Sequence, residues 1–282
     1  MSSTTSIRAL VMAATIVASL AVGAVAQAAD PKAPKPIQGR FDVGGHKLSL
    51  QCTGSGSPAI VYLHGYIWNG QGGGSSAGLL PLLLEKKHRI CVYDRPNPGE
   101  SDPVAGPVTA RQTVTDLHTL LRVAKVKPPY VLLGASFGGL LAHIYAATYP
   151  REVKGMVLLD AGFPTELPLE ELFPPDERLT HDQWNEGAEK IDELDTYELA
   201  YKLLPKQAKI PVTYLLALPY SWLGLNGPPA YNEAAPKALA EYMAGFAPGK
   251  IKRVKSDHYM EQAIPERVGR EVELIFKRIR KG

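Results

Sequence analysis

Short apolar runs alternate along the chain with longer stretches in which apolar residues recur every three or four positions. The short runs are typical of buried strands, and the longer spacing is typical of helices that pack on one face. The predicted strands are 39–43, 46–52, 59–63, 89–93, 130–133, 153–159, 211–218 and 250–255. The predicted helices are 76–85, 109–124, 140–149, 234–245 and 266–280. This alternation predicts an α/β domain with a mostly parallel sheet.

The segment from Phe163 to Lys209 interrupts the alternation. It carries twelve of the 28 acidic residues but only five Lys or Arg residues. We expect it to form a helical insertion, or cap, over the edge of the sheet. Its aromatic and apolar residues either line an apolar substrate pocket or form the core of the cap, and these residues are Phe163, Leu167, Leu172, Phe173 and Trp184, with Trp222 nearby.

The N-terminus has the pattern of an export signal. Arg8 precedes an uncharged, Ala-rich stretch, and Ala26-Gln-Ala28 fits the small-x-small rule for signal peptidase. The sequence therefore predicts a signal peptide over residues 1–28, a linker over 29–38, and one domain over 39–282 with the insertion at about 163–209. The mature protein would be periplasmic or extracellular, without stable membrane insertion. The alternative is an uncleaved anchor, since 21 uncharged residues could span a bilayer.

The composition is that of a globular protein, with 45% hydrophobic and 21% charged residues. The net charge of +3 is small, and no basic cluster is interleaved with aromatic residues, so no nucleic-acid partner is expected. No metal-ligand spacing occurs, and neither a metal nor an organic cofactor is implied. Nothing in the composition fixes an oligomeric state.

A serine stands at an abrupt turn between a predicted strand and a predicted helix. The strand 130–133 is followed by Gly134-Ala-Ser136-Phe-Gly138-Gly139, and an apolar helix begins directly afterwards. Gly-x-Ser-x-Gly between a strand and a helix is the nucleophile elbow, in which a strained turn exposes the serine hydroxyl at the sheet edge. The pattern therefore predicts that Ser136 is a nucleophile.

A serine hydroxyl needs a general base, and His258 is the best placed of the seven histidines. It follows the last predicted strand and precedes the last helix, and it comes after the serine in the chain, as the base does in such enzymes. His143 is expected to be a buried core residue. His46, His88, His118 and His181 are expected on turns or helix surfaces, and the sequence shows no partners for them.

The chain resembles the α/β-hydrolase family over nearly all of its mature length. The matching motifs are His64-Gly65, Tyr93-Asp94-Arg95-Pro96 with Gly99-Glu-Ser101, Gly134-Ala-Ser136-Phe-Gly138-Gly139, Val157-Leu-Leu-Asp160-Ala161, and His258 followed by Ile264-Pro265-Glu266. Ala135 replaces the histidine that this family usually has before the nucleophile. The resemblance implies an eight-stranded, mostly parallel sheet flanked by helices. It also implies an oxyanion hole formed by the backbone N–H groups of Tyr66 and Phe137.

The acid of the catalytic triad departs from the commonest pattern of this family. No Asp or Glu follows the predicted strand 211–218, where the family usually carries the acid. Asp160, at the end of the preceding strand, is the other position that the fold offers, and we assign it as the acid. A structural role for Asp160 is the alternative, and Asp94 is then the fallback for the acid.

The resemblance also implies a disulfide. The sheet order of the family places the second strand beside the fourth, and Cys52 and Cys91 lie in these strands. An oxidising compartment permits a bridge between them, and two buried free thiols are the alternative.

The most consistent hypothesis is an exported serine hydrolase that cleaves small-molecule carboxylic esters through an acyl-enzyme on Ser136. An aminopeptidase, a thioesterase, a perhydrolase or a hydroxynitrile lyase could use the same residues. A non-catalytic binding protein on this fold is the rival from another class. The residues expected to bind the substrate are His64, Trp68, Phe163 and Trp222, with His64 acting mainly by shaping its loop.

Overall fold

The computed structural model describes residues 35–67, 70–219 and 227–281. The predicted signal peptide and most of the predicted linker lie outside these residues, as do Trp68 and Trp222. The expectations that concern them therefore stay predictions.

Eight strands form one sheet, as the sequence predicted. They are β1 (Ile37–Asp42), β2 (Lys47–Thr53), β3 (Ala59–Leu63), β4 (Ile90–Tyr93), β5 (Tyr130–Ala135), β6 (Val153–Leu159), β7 (Val212–Pro219) and β8 (Gly249–Ser256). Their order in the sheet is β1-β2-β4-β3-β5-β6-β7-β8. The pairs on either side of β2 are antiparallel, and all other pairs are parallel. The central strands β3 and β5 are buried at every position, which explains why their sequences are continuous apolar runs.

Helices cover both faces of the sheet. They are α1 (Gly73–Ser76), α2 (Leu80–Leu84), α3 (Ala110–Val123), α4 (Gly138–Thr148), α5 (Glu193–Lys202), α6 (Pro229–Ala244), α7 (Met260–Ala263) and α8 (Pro265–Ile279). One core includes residues of α3, α4 and α6, and the other includes residues of α2 and α8. The single helix predicted over 76–85 is in fact two short helices, because Gly78 between them has a left-handed φ of 56°. Among the described residues, no helix has the length and apolarity needed to cross a bilayer.

The segment between β6 and β7 adds structure above the sheet, and we call residues 160–211 the β6–β7 insertion. It contains α5 and three 3₁₀ helices, Pro164–Leu172, His181–Asn185 and Leu204–Lys206. The expected helical character is therefore present, but most of it is 3₁₀ helix. Pro168 lies inside the first of these helices and lacks an N–H, so a regular α-helix cannot continue there.

Cys52 of β2 and Cys91 of β4 form a disulfide, as the family resemblance implied. The two residues are directly opposite each other in the antiparallel pairing of these strands. Both are fully buried, so the bridge lies in the core at the β2–β4 side of the sheet.

Candidate active site

The carboxyl ends of the parallel strands meet at one edge of the sheet, and a pocket of about 620 Å³ lies there. Ser136 follows β5, Asp160 follows β6, and His258 follows β8. All three line this pocket, so the structure brings together the residues that the sequence predicted as nucleophile, acid and base. Ligands bind at this edge of the sheet in α/β proteins, because loops from several strands converge there.

Ser136 lies on a tight turn whose backbone is held from both sides. Its φ is 50°, a left-handed value that is uncommon for a residue with a side chain. Its N–H donates to the Leu159 carbonyl at 3.0 Å, and its carbonyl accepts from the N–H of Gly162 at 3.0 Å. Strand β6 and the chain after it therefore stabilise the strained conformation, which leaves the serine side chain at the pocket.

Glycine is needed on the strand side of this turn. A Cβ atom at Gly134 would lie 2.8 Å from the Gly138 carbonyl oxygen, closer than side-chain carbons approach. The absence of a side chain therefore permits β5 and α4 to meet at the sharp angle that the serine needs.

Asp160 and His258 are joined by a hydrogen bond. His258 Nδ1 lies 2.8 Å from Asp160 Oδ2, and Asp160 Oδ1 accepts from the Ala217 N–H at 3.2 Å. The Asp160 side chain is 1% exposed, whereas the imidazole of His258 is 20% exposed. A buried carboxylate beside Nδ1 requires the proton on that nitrogen, so Nε2 is the basic nitrogen of the ring.

Asp94, the alternative candidate for the triad acid, accepts hydrogen bonds from backbone N–H groups and not from His258. Its carboxylate accepts from the N–H groups of Gly74 at 3.4 Å and Glu100 at 2.9 Å. These contacts connect the loop that follows β4 to α1. The structure therefore gives Asp94 a role in loop conformation.

The residues expected to form the oxyanion hole lie beside the serine. Tyr66 and Phe137 both line the pocket, and their rings pack edge to face at 5.8 Å. A Cβ atom at Gly65 would lie 3.1 Å from Ser136 Cβ, so the loop after β3 passes directly against the serine. The Phe137 N–H, at the start of α4, donates to no acceptor within the described ranges. The Phe137 N–H is therefore available as an oxyanion donor, the role that the sequence predicts for it.

A buried ion pair holds the loop after β3, and sequence reasoning missed its acidic partner. Arg95 donates to the carbonyl oxygens of His64 at 2.8 Å and Gly65 at 2.6 Å. It also donates from Nε and Nη2 to both carboxylate oxygens of Glu189, at 2.7 to 3.0 Å. Arg95 and Glu189 are both 0% exposed. The β6–β7 insertion is thereby tied to the loop that carries Tyr66.

Two of the four residues expected to bind the substrate do not line the pocket, and the structure corrects that expectation. His64 is fully buried, its Nδ1 lies 2.8 Å from the Gly65 carbonyl oxygen, and burial lowers its pKa well below the usual value. Phe163 is also fully buried, because the chain turns inward after Asp160 and packs its ring against Tyr214 and Tyr242. Trp68 and Trp222 lie outside the described residues.

The pocket is acidic, although aromatic and apolar residues also line it. Of the aromatic and apolar residues that the sequence suggested for its lining, Phe173 is the one that the described structure brings there. Five glutamates also line the pocket, and they are Glu166, Glu170, Glu177, Glu193 and Glu261. The acidic composition of the β6–β7 insertion was the signal for this property, since four of the five come from it.

Burial weakens the ionisation of three of these glutamates. It raises the pKa of Glu166 to about 7, although hydrogen bonds from the Phe163 N–H, Tyr231 and Tyr197 act in the opposite direction. The pKa of Glu193 is also raised to about 7, by burial and by the charges of Glu170 and Glu186. Burial likewise raises the pKa of Glu261 to about 7. Each of these carboxyls would gain from a nearby positive charge.

The other histidines have partners away from the pocket. His143 is buried, with Nε2 3.2 Å from the Ala200 carbonyl oxygen, and burial lowers its pKa to about 4. The four histidines for which the sequence shows no partners each have a ring nitrogen within 3.1 Å of a carboxylate oxygen, and they are His46, His88, His118 and His181. The sequence does not indicate these partners, because three of them are distant along the chain and the fourth, Asp192, lies just before α5.

Comparison with known proteins identifies relatives of the chain. A sequence profile described as alpha/beta hydrolase fold matches residues 58–226. The uncharacterized protein YqjL of Bacillus subtilis is 36% identical over 109 residues, which cover 38% of this chain and 41% of that protein. A pimeloyl-[acyl-carrier protein] methyl ester esterase of Xylella fastidiosa is 34% identical over 116 residues, 40% of each chain. The matches thus span less than half the length of these curated relatives.

Solved structures show the same fold over most of the chain. The mouse alpha/beta hydrolase domain-containing protein 10 has a TM-score of 0.62 at 15% identity, covering 85% of this chain and 98% of its own. A thermophilic esterase from Thermogutta terrifontis has a TM-score of 0.60 at 19% identity, covering 88% of this chain and 99% of its own. At these identities the similarity establishes the fold alone, and the reaction has to be inferred from the residues of the site.

Proposed function

The chain belongs to the alpha/beta hydrolase fold family, and we propose that it is a serine hydrolase that cleaves carboxylic esters through an acyl-enzyme on Ser136. The single observation that carries this proposal is the hydrogen bond of 2.8 Å between His258 Nδ1 and Asp160 Oδ2, in the pocket that Ser136 also lines. A structural histidine would need neither the buried carboxylate nor the serine on a strained turn.

In the first half-reaction, Ser136 Oγ attacks the carbonyl carbon of the ester. His258 Nε2 accepts the hydroxyl proton, and the carboxylate of Asp160 stabilises the imidazolium that results. The carbonyl oxygen becomes an oxyanion, which accepts hydrogen bonds from the backbone N–H groups of Tyr66 and Phe137. When the tetrahedral intermediate collapses, the alcohol leaves with the proton from His258, and the acyl group stays on Ser136.

In the second half-reaction, water hydrolyses the acyl-enzyme. His258 removes a proton from the water as the water oxygen attacks the acyl carbon, and a second oxyanion occupies the same hole. Collapse of this intermediate returns the proton to Ser136 Oγ and releases the carboxylic acid. The cycle needs no group beyond these residues and water.

The relatives support an ester as the substrate. The Xylella protein is a methyl ester esterase, and the Thermogutta protein is an esterase. An amide, a thioester or another acyl derivative would use the same three side chains, so the bond that is cleaved has to be measured.

We further propose that the protein is exported. The sequence pattern of residues 1–28 supports this, and the Cys52–Cys91 disulfide is compatible with an oxidising compartment. Intact mass of the protein purified from its native envelope fraction would reveal whether the first 28 residues are removed.

Steady-state hydrolysis tests the proposed reaction. A series of p-nitrophenyl esters of increasing acyl length would be assayed beside an aminoacyl arylamide. We expect the wild type to hydrolyse the esters and turnover to fall by at least about 10³-fold in Ser136→Ala. Alanine is smaller than serine, so this variant should keep the conformation of the elbow. Ester hydrolysis that survives undiminished in folded Ser136→Ala would refute the proposal.

A further inference from the structure

We infer that the catalytic pocket selects substrates that carry a positively charged nitrogen, an ammonium or a protonated amine, on the acyl or the alcohol side of the scissile bond. This inference rests on the proposed function at Ser136 and adds the chemical class of the substrate.

The charge of the pocket lining has one sign. The five glutamates face the same cavity as the catalytic serine, and no Lys or Arg lines it among the described residues. The two internal stretches outside those residues, 68–69 and 220–226, contain no charged residue in the sequence. Asp160 also lines the cavity, but its carboxylate is already hydrogen-bonded to His258. The negative potential at the pocket is therefore left without a basic counterpart.

Contacts within the protein do not neutralise these carboxylates. Glu170 accepts one hydrogen bond, from the Leu179 N–H at 3.0 Å. Glu166 accepts hydrogen bonds from three groups, all of them uncharged, and they are the Phe163 N–H, Tyr197 and Tyr231. Glu193 has neither an ion pair nor a hydrogen bond to its carboxylate from any residue that the structure describes. Carboxylates gathered in a low-dielectric cavity cost stability unless a cation binds beside them.

A carboxylate from outside the β6–β7 insertion adds to the negative charge of the pocket. Glu261 of α7 lines the pocket and is only 3% exposed. Its Oε1 accepts from the Tyr62 hydroxyl at 3.4 Å, while its Oε2 is buried without a hydrogen-bond partner in the described part of the chain. A buried carboxylate oxygen is rarely left unsatisfied, and a donor from a bound ligand would satisfy it.

Aromatic residues accompany the carboxylates. Phe173, Tyr197, Tyr214 and Tyr231 line the pocket, and the rings of Phe173 and Tyr231 pack at 4.9 Å. The face of an aromatic ring attracts a cation, and it also accommodates the methyl groups of a quaternary ammonium. Carboxylates combined with aromatic rings therefore suit an organic cation better than an inorganic one.

The test compares esters that differ only in charge. For the acyl side, p-nitrophenyl 4-(trimethylammonio)butanoate is paired with its carbon isostere p-nitrophenyl 5,5-dimethylhexanoate. For the alcohol side, butanoylcholine is paired with 3,3-dimethylbutyl butanoate. The assays are run at about pH 8, where carboxyls with a pKa of about 7 are mostly ionised. The readout is the ratio of kcat/KM for the cationic ester to kcat/KM for its neutral partner.

We expect the wild type to prefer the cationic ester by at least about tenfold in one of the two pairs, and to lose part of this preference at high salt. Glu193→Gln keeps the shape of the side chain and removes its charge, and it should lower the ratio by about threefold or more. Glu198→Gln is the matched control, because Glu198 lies on the same helix, is 54% exposed and does not line the pocket. Its ratio should equal that of the wild type.

The outcomes separate the two proposals. If the wild type cleaves the neutral esters at least as fast as the cationic ones in both pairs, the inference is contradicted. The proposal that the protein is a serine hydrolase is then unaffected. A cationic preference that is the same in Glu193→Gln and Glu198→Gln also contradicts the inference. If neither member of either pair is cleaved, the proposed function fails, and the inference fails with it.

Discussion

Arg95 joins Glu189 of the β6–β7 insertion to the loop that follows β3, through an ion pair that is completely buried. The same guanidinium donates to the carbonyls of His64 and Gly65, immediately before Tyr66. The insertion above the pocket and the candidate oxyanion loop are thus parts of one hydrogen-bonded unit. A change at Glu189 should therefore affect both stability and catalysis.

Glu189→Gln should destabilise the fold by about 3–5 kcal/mol, because it leaves the charge of Arg95 buried without its partner. The folded fraction should show a lower kcat with little change in KM, since the role proposed for the Tyr66 N–H is to bind the oxyanion of the transition state. Denaturant unfolding and steady-state kinetics measure the two effects. Glu233→Gln is the control, because Glu233 forms an exposed pair with Lys237 and its loss should change little. Unchanged stability and kcat in Glu189→Gln would show that the pair does not hold the loop.

Asp160→Asn should reduce turnover by about 10³–10⁴-fold with little change in substrate binding. The amide keeps the shape of the carboxylate, but it removes the charge that stabilises the imidazolium and can hold the wrong tautomer of His258. Turnover and melting temperature would be measured together.

Asp94→Asn is the comparison for Asp160, because its carboxylate binds the backbone of Gly74 and Glu100. It should lower the melting temperature while the folded fraction keeps near-normal turnover. The triad acid has been assigned to the wrong strand if the turnover of Asp160→Asn stays within about tenfold of the wild type while folded Asp94→Asn is inactive.

Glu193 should make the fold less stable as the pH rises. Its pKa is raised to about 7 in the folded protein, above the value of about 4.5 in an unfolded chain. The folded state therefore binds the proton more tightly, so the stabilisation is complete below about pH 4.5 and is lost as the pH rises to about 7. Glu193→Gln cannot ionise, and it should be more stable than the wild type at about pH 8, by on the order of 2 kcal/mol.

Denaturant unfolding at about pH 5 and pH 8 measures this difference. The gain from Glu193→Gln should be much smaller at pH 5 than at pH 8, and Glu198→Gln should track the wild type at both. A Glu193→Gln variant that is less stable than the wild type at pH 8 would mean that the carboxylate has a stabilising partner. If the gain is found together with loss of cationic preference, stability and substrate selection oppose each other at this residue.

The sheet was predictable because its signals are local. The runs at 59–63 and 153–159 coincide with β3 and β6, since buried parallel strands are mostly apolar, and in β6 only Lys154 is exposed. Ser136 could be singled out for the same reason, because the strand, the glycine turn and the helix that position it are contiguous in sequence.

The lining of the pocket was not predictable, because it depends on packing between distant segments. Arg95 and Glu189 are 94 residues apart, and no local pattern pairs them. Phe163 has the composition expected of a substrate contact, yet the inward turn after Asp160 buries it in the core. The glutamates come to the pocket from different elements, among them a 3₁₀ helix, α5 and α7, so no single sequence spacing groups them.

Site-specific labelling by a fluorophosphonate tests the central claim most directly. The reagent reacts with a serine hydroxyl that an adjacent base activates. Intact mass and peptide mapping should find one phosphonyl group, on the peptide that contains Ser136. The label should be absent from Ser136→Ala and form far more slowly in His258→Ala. A folded wild-type protein that stays unlabelled, or that carries the label on another residue while Ser136→Ala is labelled equally, would contradict the assignment of Ser136 as the nucleophile.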